Sequence, residues 1–216
     1  VVGAGLAGSE CACQLARRGI KVRLAEMKPG KYSPAHVSPG FAELVCSNSL
    51  RSDELTNAVG LLKEELRRLG SLIMESADKN RVAAGGALAV DREGFSEYIT
   101  QRLRACPNVE VEERELTEIP EGEAVIATGP LTSDAMAEAI VRLCPEFDLH
   151  FYDAVAPIVT LESVDMENAY LASRYGKGTA DYVNCPMTKE EYEAFVTELR
   201  AAKEAPVHGF DDGAVF

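Results

Sequence analysis

The residues best suited to chemistry lie near the start of the chain. Gly3-Ala4-Gly5-Leu6-Ala7-Gly8 is a GxGxxG hexad, and Glu26 follows its last glycine by 18 residues. This spacing suits a dinucleotide. Gly3 permits a tight turn, Gly5 lets the backbone approach a pyrophosphate, and Gly8 lets helix and strand pack closely. The N–H groups of a helix that starts there would face the phosphates, and Glu26 would accept from the adenosine ribose. The plainer alternative is a structural glycine turn with Glu26 as a solvated strand end. Cys46 is the second candidate. It stands beside Ser47, Asn48 and Ser49 and near Arg51, and polar donors with a cation can hold a thiolate. A small buried hydrophobe is the plainer alternative. His36 could donate to a bound ligand or be a solvated loop residue. Arg51 and Arg92 could hold an anion or form surface ion pairs. Cys185, before Pro186, reads as packing.

The surrounding pattern supplies the elements needed to position these groups. Val1-Val2 reads as the tail of a strand. Residues 7–19 read as a helix with Cys11, Leu15 and Ala16 inward, ending at Gly19. Ile20 to Glu26 reads as a strand with Ile20, Val22 and Leu24 alternating. Residues 27–53, with Pro29, Pro34 and Pro39, form a connection long enough to be functional. A single helix is expected over 54–77, because Leu55, Val59, Leu62, Leu66, Leu69 and Ile73 make one apolar stripe and Lys63, Glu64, Glu65, Arg67 and Arg68 the exposed face. Further on, a strand at Ala87–Val90, a helix capped by Asp91 with Phe95, Ile99 and Leu103 inward, a strand at Val109 and Val111 and another at Ala124–Ala127 alternate as in α/β proteins. Thr132 or Ser133 caps a helix to Leu143. After Pro145 the texture changes to β segments at Phe151–Leu161 and Tyr170–Tyr182, with a turn at Tyr175–Gly178, and a last helix opened by the capping box Thr188…Glu191. The acidic run Glu110, Glu112, Glu113, Glu115, Glu118 reads as the solvated face of an edge strand.

Composition narrows the class. The 216 residues carry a net charge of −13, no Trp and six Cys with no CxxC pair. A zinc ribbon and a disulfide framework are both unsupported, and no metal site is expected. No stretch approaches the roughly 20 apolar residues of a membrane span, and no secretory signal is visible, so a cytoplasmic protein is expected. The net charge argues against nucleic acid until it is divided: residues 1–80 carry 11 basic and 9 acidic side chains, residues 81–216 carry 11 and 26. Only the second part is strongly acidic.

Longer blocks carry a family resemblance. Val125-Ile126-Ala127-Thr128-Gly129 resembles the strand of glutathione-reductase-like FAD proteins whose glycine passes near the dinucleotide, which favours FAD over NAD at the hexad. Phe41-Ala42-Glu43-Leu44-Val45-Cys46-Ser47-Asn48-Ser49-Leu50-Arg51, Leu55–Gly60, Ala84–Arg92, Ala127–Ser133, Phe151–Ala154, Asn184-Cys185 and Pro186–Thr188 resemble, in order and over the entire chain, the TrmFO family of folate- and FAD-dependent tRNA (uracil-5-)-methyltransferases. The resemblance implies that methylenetetrahydrofolate supplies a carbon to C5 of a uridine in the T-loop of tRNA, with NAD(P)H as reductant. C5 of uracil is a poor nucleophile until a thiolate adds at C6, so an activated cysteine is needed. The resemblance places Cys46 at one of the family's two functional cysteines, with a role in relaying or protecting the one-carbon unit or in activating the base. It puts the other, the C6 nucleophile, in a Gly-Cys-Met-Pro segment after Phe216.

The expected fold is therefore α/β: an incomplete glutathione-reductase-like FAD-binding Rossmann domain over residues 1–147, with an inserted α+β domain beginning over 148–216. The expected cofactor-binding residues are Gly3, Ala4, Gly5, Leu6, Ala7, Gly8, Glu26, Thr128 and Gly129, with Cys46 catalytic. Two residues before Gly3 are few for a strand, so a fragment is expected, inactive by itself. A related FAD-dependent enzyme of tRNA wobble uridines, a small-molecule flavin oxidoreductase and a non-catalytic dinucleotide module are the alternatives. Oligomeric state is not legible.

Overall fold

The computed structural model describes residues 1–144, 159–173, 176 and 178–203. Its centre is a parallel sheet. β1 (Val22–Glu26) pairs in parallel with β5 (Val109–Glu113), from Val22 opposite Val109 to Glu26 opposite Glu113. Val2 lies on the other side of β1, bridging Ala25 and Ile126 in parallel. Hydrogen bonds from Val2 N to Val125 O, Ala127 N to Val2 O and Gly3 N to Ala25 O hold this inner segment. Residues 124–127, expected as a strand, contribute a single bridge at Ile126.

Helices cover the sheet. α1 (Leu6–Arg17) buries Gly8, Ser9, Ala12 and Ala16. The inward face thus runs through Ala12 and Ser9, whereas Cys11 and Leu15 are only partly buried. Small residues allow α1 to lie close to the sheet. Gly19, at φ +81°, ends the helix region as expected, with its N–H on Ala16 O. Ile20 is 48% exposed, and the strand begins at Val22. α4 (Arg92–Arg104) is capped by the Asp91 side chain on Gly94 N and buries Phe95, Ile99 and Leu103, as its pattern predicts.

The long helix expected over 54–77 is two helices. α2 (Ala58–Arg68) ends before Gly70, which sits at φ +72°, and Ser71 caps α3 (Leu72–Lys79) through Met74 N. The left-handed glycine and the new cap are local signals that the continuous stripe conceals. Half of that stripe faces outward: Leu55, Leu62 and Leu69 are exposed. Lys63, placed on the exposed face by its charge, is buried, with its ammonium donating to Ser52 O and Val59 O. Gly60 is what lets the chain close here, since a Cβ would lie 2.1 Å from Glu54 O.

A three-stranded antiparallel sheet, β2 (Ser49–Ser52), β4 (Ala87–Val90) and β3 (Arg81–Val82), flanks this core, with β4 in the middle. One core cluster joins Leu24, Phe41, Leu72, Leu88, Phe95, Ile99 and Leu103. α5 (Asp134–Leu143) packs Met136 and Ala139 against Val2. Ser133 is its N-cap position, without a side-chain cap bond.

The acidic run spans β5 and the segment after it, and most of it is paired with cations. Glu112 pairs with Arg23 and Arg114, Glu113 with Arg104, Glu115 with Lys31, and Glu118 with Arg142. Beyond residue 158, β6 (Tyr170–Ala172) and β7 (Tyr182–Asn184) form an antiparallel pair. α6 (Lys189–Ala201) opens with the expected Thr188–Glu191 capping box. The pair touches the first part of the chain where Tyr182 Oη donates to Ala84 O and Asp181 accepts from Gly85 N. Most of the expected β segment at 151–161, Tyr175 and Lys177 of the expected turn, and the 147/148 boundary lie outside the described residues. No helix among the described residues is long and apolar enough to cross a membrane.

Candidate functional site

A cavity of about 320 Å³ opens at the C-terminal end of the parallel sheet, within the size range of small-ligand sites. Gly3, Ala4, Gly5, Leu6 and Ala7 form one wall, Glu26 another, and Thr128 and Gly129 a third. All are residues the sequence nominated. Each glycine has a distinct role. Gly3 sits at φ +91°, and a Cβ there would lie 2.7 Å from Ala127 O. Gly8 is outside the lining and beneath it, where a Cβ would lie 1.8 Å from Gly3 O. Gly5 is the N-cap of α1, and a Cβ on it would meet nothing within 4 Å. Gly3 and Gly8 are thus required by the fold, whereas Gly5 faces open space.

The open space lies against the positive end of α1. No side chain caps that end, and its first turn carries no acidic residue. Helix N-termini leave several backbone N–H groups unsatisfied and favour anions. Glu26 lines the same cavity, is buried at 6% exposure and is tied to the hexad. Its Oε2 accepts from Ala4 N at 2.8 Å and its Oε1 from Lys28 N at 3.1 Å. A carboxylate has about four acceptor positions, so two remain for hydroxyls. On the third wall, Gly129 sits at φ +71° with nothing near its Cβ position. Thr132 Oγ1 donates to Gly129 O at 2.7 Å and meets Thr128 Oγ1 at 2.6 Å, fixing that turn.

The residues fit a dinucleotide cofactor. An uncapped helix end suits a diphosphate, a buried acceptor suits a ribose, and two glycine backbones leave room for close approach.

The long segment after β1 supplies further lining, of which the sequence nominated His36 alone as a donor to a ligand. Met27, Lys28, His36, Ala42, Glu43 and Val45 reach the cavity, as do Arg114, Glu115 and Leu116 after β5 and Leu131, Thr132, Ser133 and Met136 around the start of α5. Ala42 takes φ 49° and donates its N–H to Ala4 O at 2.8 Å, tying this segment to the hexad. His36 Nδ1 meets Ser33 Oγ at 2.5 Å. Burial, aided by the Lys28 ammonium, pushes the His36 pKa down, which favours the neutral imidazole.

Cys46 is not part of the lining. It is exposed and follows Val45, which is. Arg92 donates to its carbonyl oxygen at 3.4 Å. Arg51 is exposed at φ 68° on the bulged β2. Cys185 is exposed rather than packed.

Comparison with known proteins gives these features a family. The family described as "Glucose inhibited division protein A" matches residues 1–216. Among curated relatives, one from Lactobacillus helveticus is 60% identical over 217 residues, covering 100% of this chain and 53% of that protein. One from Lactobacillus delbrueckii subsp. bulgaricus is 58% identical and covers 100% and 49%. One from Staphylococcus carnosus is 58% identical over 216 residues and covers 100% and 50%. All three are named methylenetetrahydrofolate–tRNA-(uracil-5-)-methyltransferase TrmFO. The chain spans about half the length of the curated relatives it matches.

Proposed function

This chain belongs to the glucose inhibited division protein A family, and from that premise we propose that its protein is an FAD-dependent methyltransferase forming 5-methyluridine in the T-loop of tRNA. The reading takes methylenetetrahydrofolate as carbon donor and NAD(P)H as reductant. The observation that carries it is the cavity: the bare N-terminus of α1 and the buried Glu26 both line it. Identity of 60% to a protein named for this reaction supports the same reading.

In this proposal the N–H groups of Gly5, Leu6 and Ala7 hold the diphosphate, Glu26 accepts from the adenosine ribose, and Thr128-Gly129 flanks the dinucleotide. When bound, FAD supplies redox chemistry that no side chain provides. The polypeptide orients the dinucleotide and excludes water from the apolar floor beside Val2 and Met136. Cys46 stands at the rim, one residue past the lining, where an exposed thiol is accessible to a macromolecular substrate. Its proposed role is to relay or protect the one-carbon unit or to activate the base. Residues 1–147 belong in this reading to a glutathione-reductase-like FAD domain and 148–216 to an inserted α+β domain, in a cytoplasmic protein.

The test uses the intact protein with FAD, methylenetetrahydrofolate, NADPH and tRNA lacking the T-loop methyl group. The expected result is a yellow protein that forms 5-methyluridine, and loss of that product in Cys46→Ala. A protein that binds flavin and leaves every uridine unmodified contradicts the proposal.

A further inference from the structure

Lys28 and Glu43 are charged residues taken almost entirely out of water, with side chains 5% and 11% exposed and Nζ 3.3 Å from Oε2. Such a pair rarely adds net stability over apolar residues of the same size, because both charges lose their hydration. What it does add is direction. Lys28 Nζ also donates to Gly40 O at 2.5 Å. Glu43 Oε1 accepts from Val37 N at 3.0 Å and Ser38 N at 2.9 Å. Three backbone positions of an irregular loop are thereby attached to one pair of side chains. That pair is attached in turn to the hexad. Lys28 N donates to Glu26 Oε1, Glu26 Oε2 accepts from Ala4 N, and Ala42, next to Glu43, donates to Ala4 O. The connections close a ring that runs Ala4, Glu26, Lys28, Glu43, Ala42 and back to Ala4.

We infer that Lys28 and Glu43 are positioning residues: their buried ion pair holds the 37–45 loop against the hexad and so fixes where the Cys46 thiol stands. The inference deepens the reading above, since it takes Cys46 as the group this loop presents. Its test reads the thiol directly, with no flavin, folate or tRNA added, so it stands or falls separately from the proposed activity.

The experiment alkylates the intact protein with iodoacetamide and follows two tryptic peptides by mass spectrometry. Residues 32–51 contain Cys46 as their one cysteine, and residues 178–189 contain Cys185. Both thiols are exposed, so Cys185 serves as the internal control. Lys28→Met and Glu43→Gln are expected to change the Cys46 rate by about fivefold or more while Cys185 stays within about twofold, as local loosening requires. Lys28→Arg keeps the cation and is expected to restore the parent Cys46 rate. An unchanged Cys46 rate in both variants overturns the inference. Equal changes at Cys46 and Cys185 overturn it too, because general destabilisation moves both. If the variants fail to fold, amide exchange in the unaltered protein decides. Val37 and Ser38 N–H groups bonded to Glu43 must be protected, and exchange at the rate of an open chain overturns the inference.

Discussion

The Ala4 N–H donates to Glu26 Oε2 at 2.8 Å, across 22 residues of sequence, from the glycine hexad to the end of β1. This one bond joins the two halves of the dinucleotide motif. It also makes the glutamate hard to replace. The other oxygen accepts from Lys28 N. In Glu26→Gln, whichever way the amide is turned, an NH2 group faces one of two buried N–H donors. The expected result is a loss of about tenfold or more in flavin affinity, with about 1 to 3 kcal/mol of stability. Flavin fluorescence titration and denaturant unfolding measure the two. Unchanged flavin affinity would remove Glu26 from the proposed site.

The glycines separate fold from ligand. At Gly8 a Cβ would lie 1.8 Å from Gly3 O, so Gly8→Ala must push α1 away from the sheet. Overpacking of this kind costs about 2 to 3 kcal/mol, and the melting temperature is expected to fall by about 5 to 10 °C. At Gly5 a Cβ meets no protein atom within 4 Å, and φ is −70°. Gly5→Ala is expected to melt within about 2 °C of the parent and still lose flavin affinity by about tenfold, because the methyl group occupies the approach to the helix end. Thermal melts beside flavin titrations distinguish the two variants. Equal effects on melting would refute the division of roles.

Much of this site is legible in the sequence because its parts are local. The hexad and the Asp91 and Thr188 caps each depend on residues within a few positions of one another and appear where the pattern puts them, and the strand after the hexad ends at Glu26 as expected but begins at Val22 rather than Ile20. The helix pair α2–α3 is not legible in the same way. An apolar stripe at helical spacing runs unbroken through Gly70, and only the φ of +72° and the Ser71 cap show the break. The burial of Lys63 is not legible either, because it depends on a carbonyl at Ser52 that periodicity cannot report. Lys28 and Glu43 carry no spacing signal, since they lie 15 positions apart across an irregular loop. A lysine and a glutamate in a proline-rich segment were the available hint.

Asp53 makes acid stability testable. Burial raises its pKa, but hydrogen bonds and charge from Arg67 and Arg81 outweigh burial and hold the carboxyl below its ordinary value of 3.8. Arg67 Nη2 lies 2.9 Å from Oδ1 and Arg81 Nη1 2.8 Å from Oδ2. A depressed folded-state value means that the stabilisation is complete above the ordinary carboxylate range and is lost as pH falls through the folded value. Asp53→Asn is expected to be about 1 to 3 kcal/mol less stable than the parent at pH 7. The gap should close progressively below pH of about 4. Urea unfolding across pH 2 to 7, bounds set by that same carboxylate range, measures it. A gap independent of pH would show that the ion pairs contribute nothing.

The account rests on the cavity between the hexad, Glu26 and Thr128-Gly129 being the site of a flavin dinucleotide. A crystal structure of the intact protein with FAD tests that claim most directly. The prediction places the diphosphate within hydrogen-bond distance of the N–H groups of Gly5, Leu6 and Ala7, with a ribose hydroxyl on the Glu26 carboxylate. A diphosphate bound away from the α1 N-terminus, or a ribose that leaves Glu26 bonded only to Ala4 and Lys28, would contradict it.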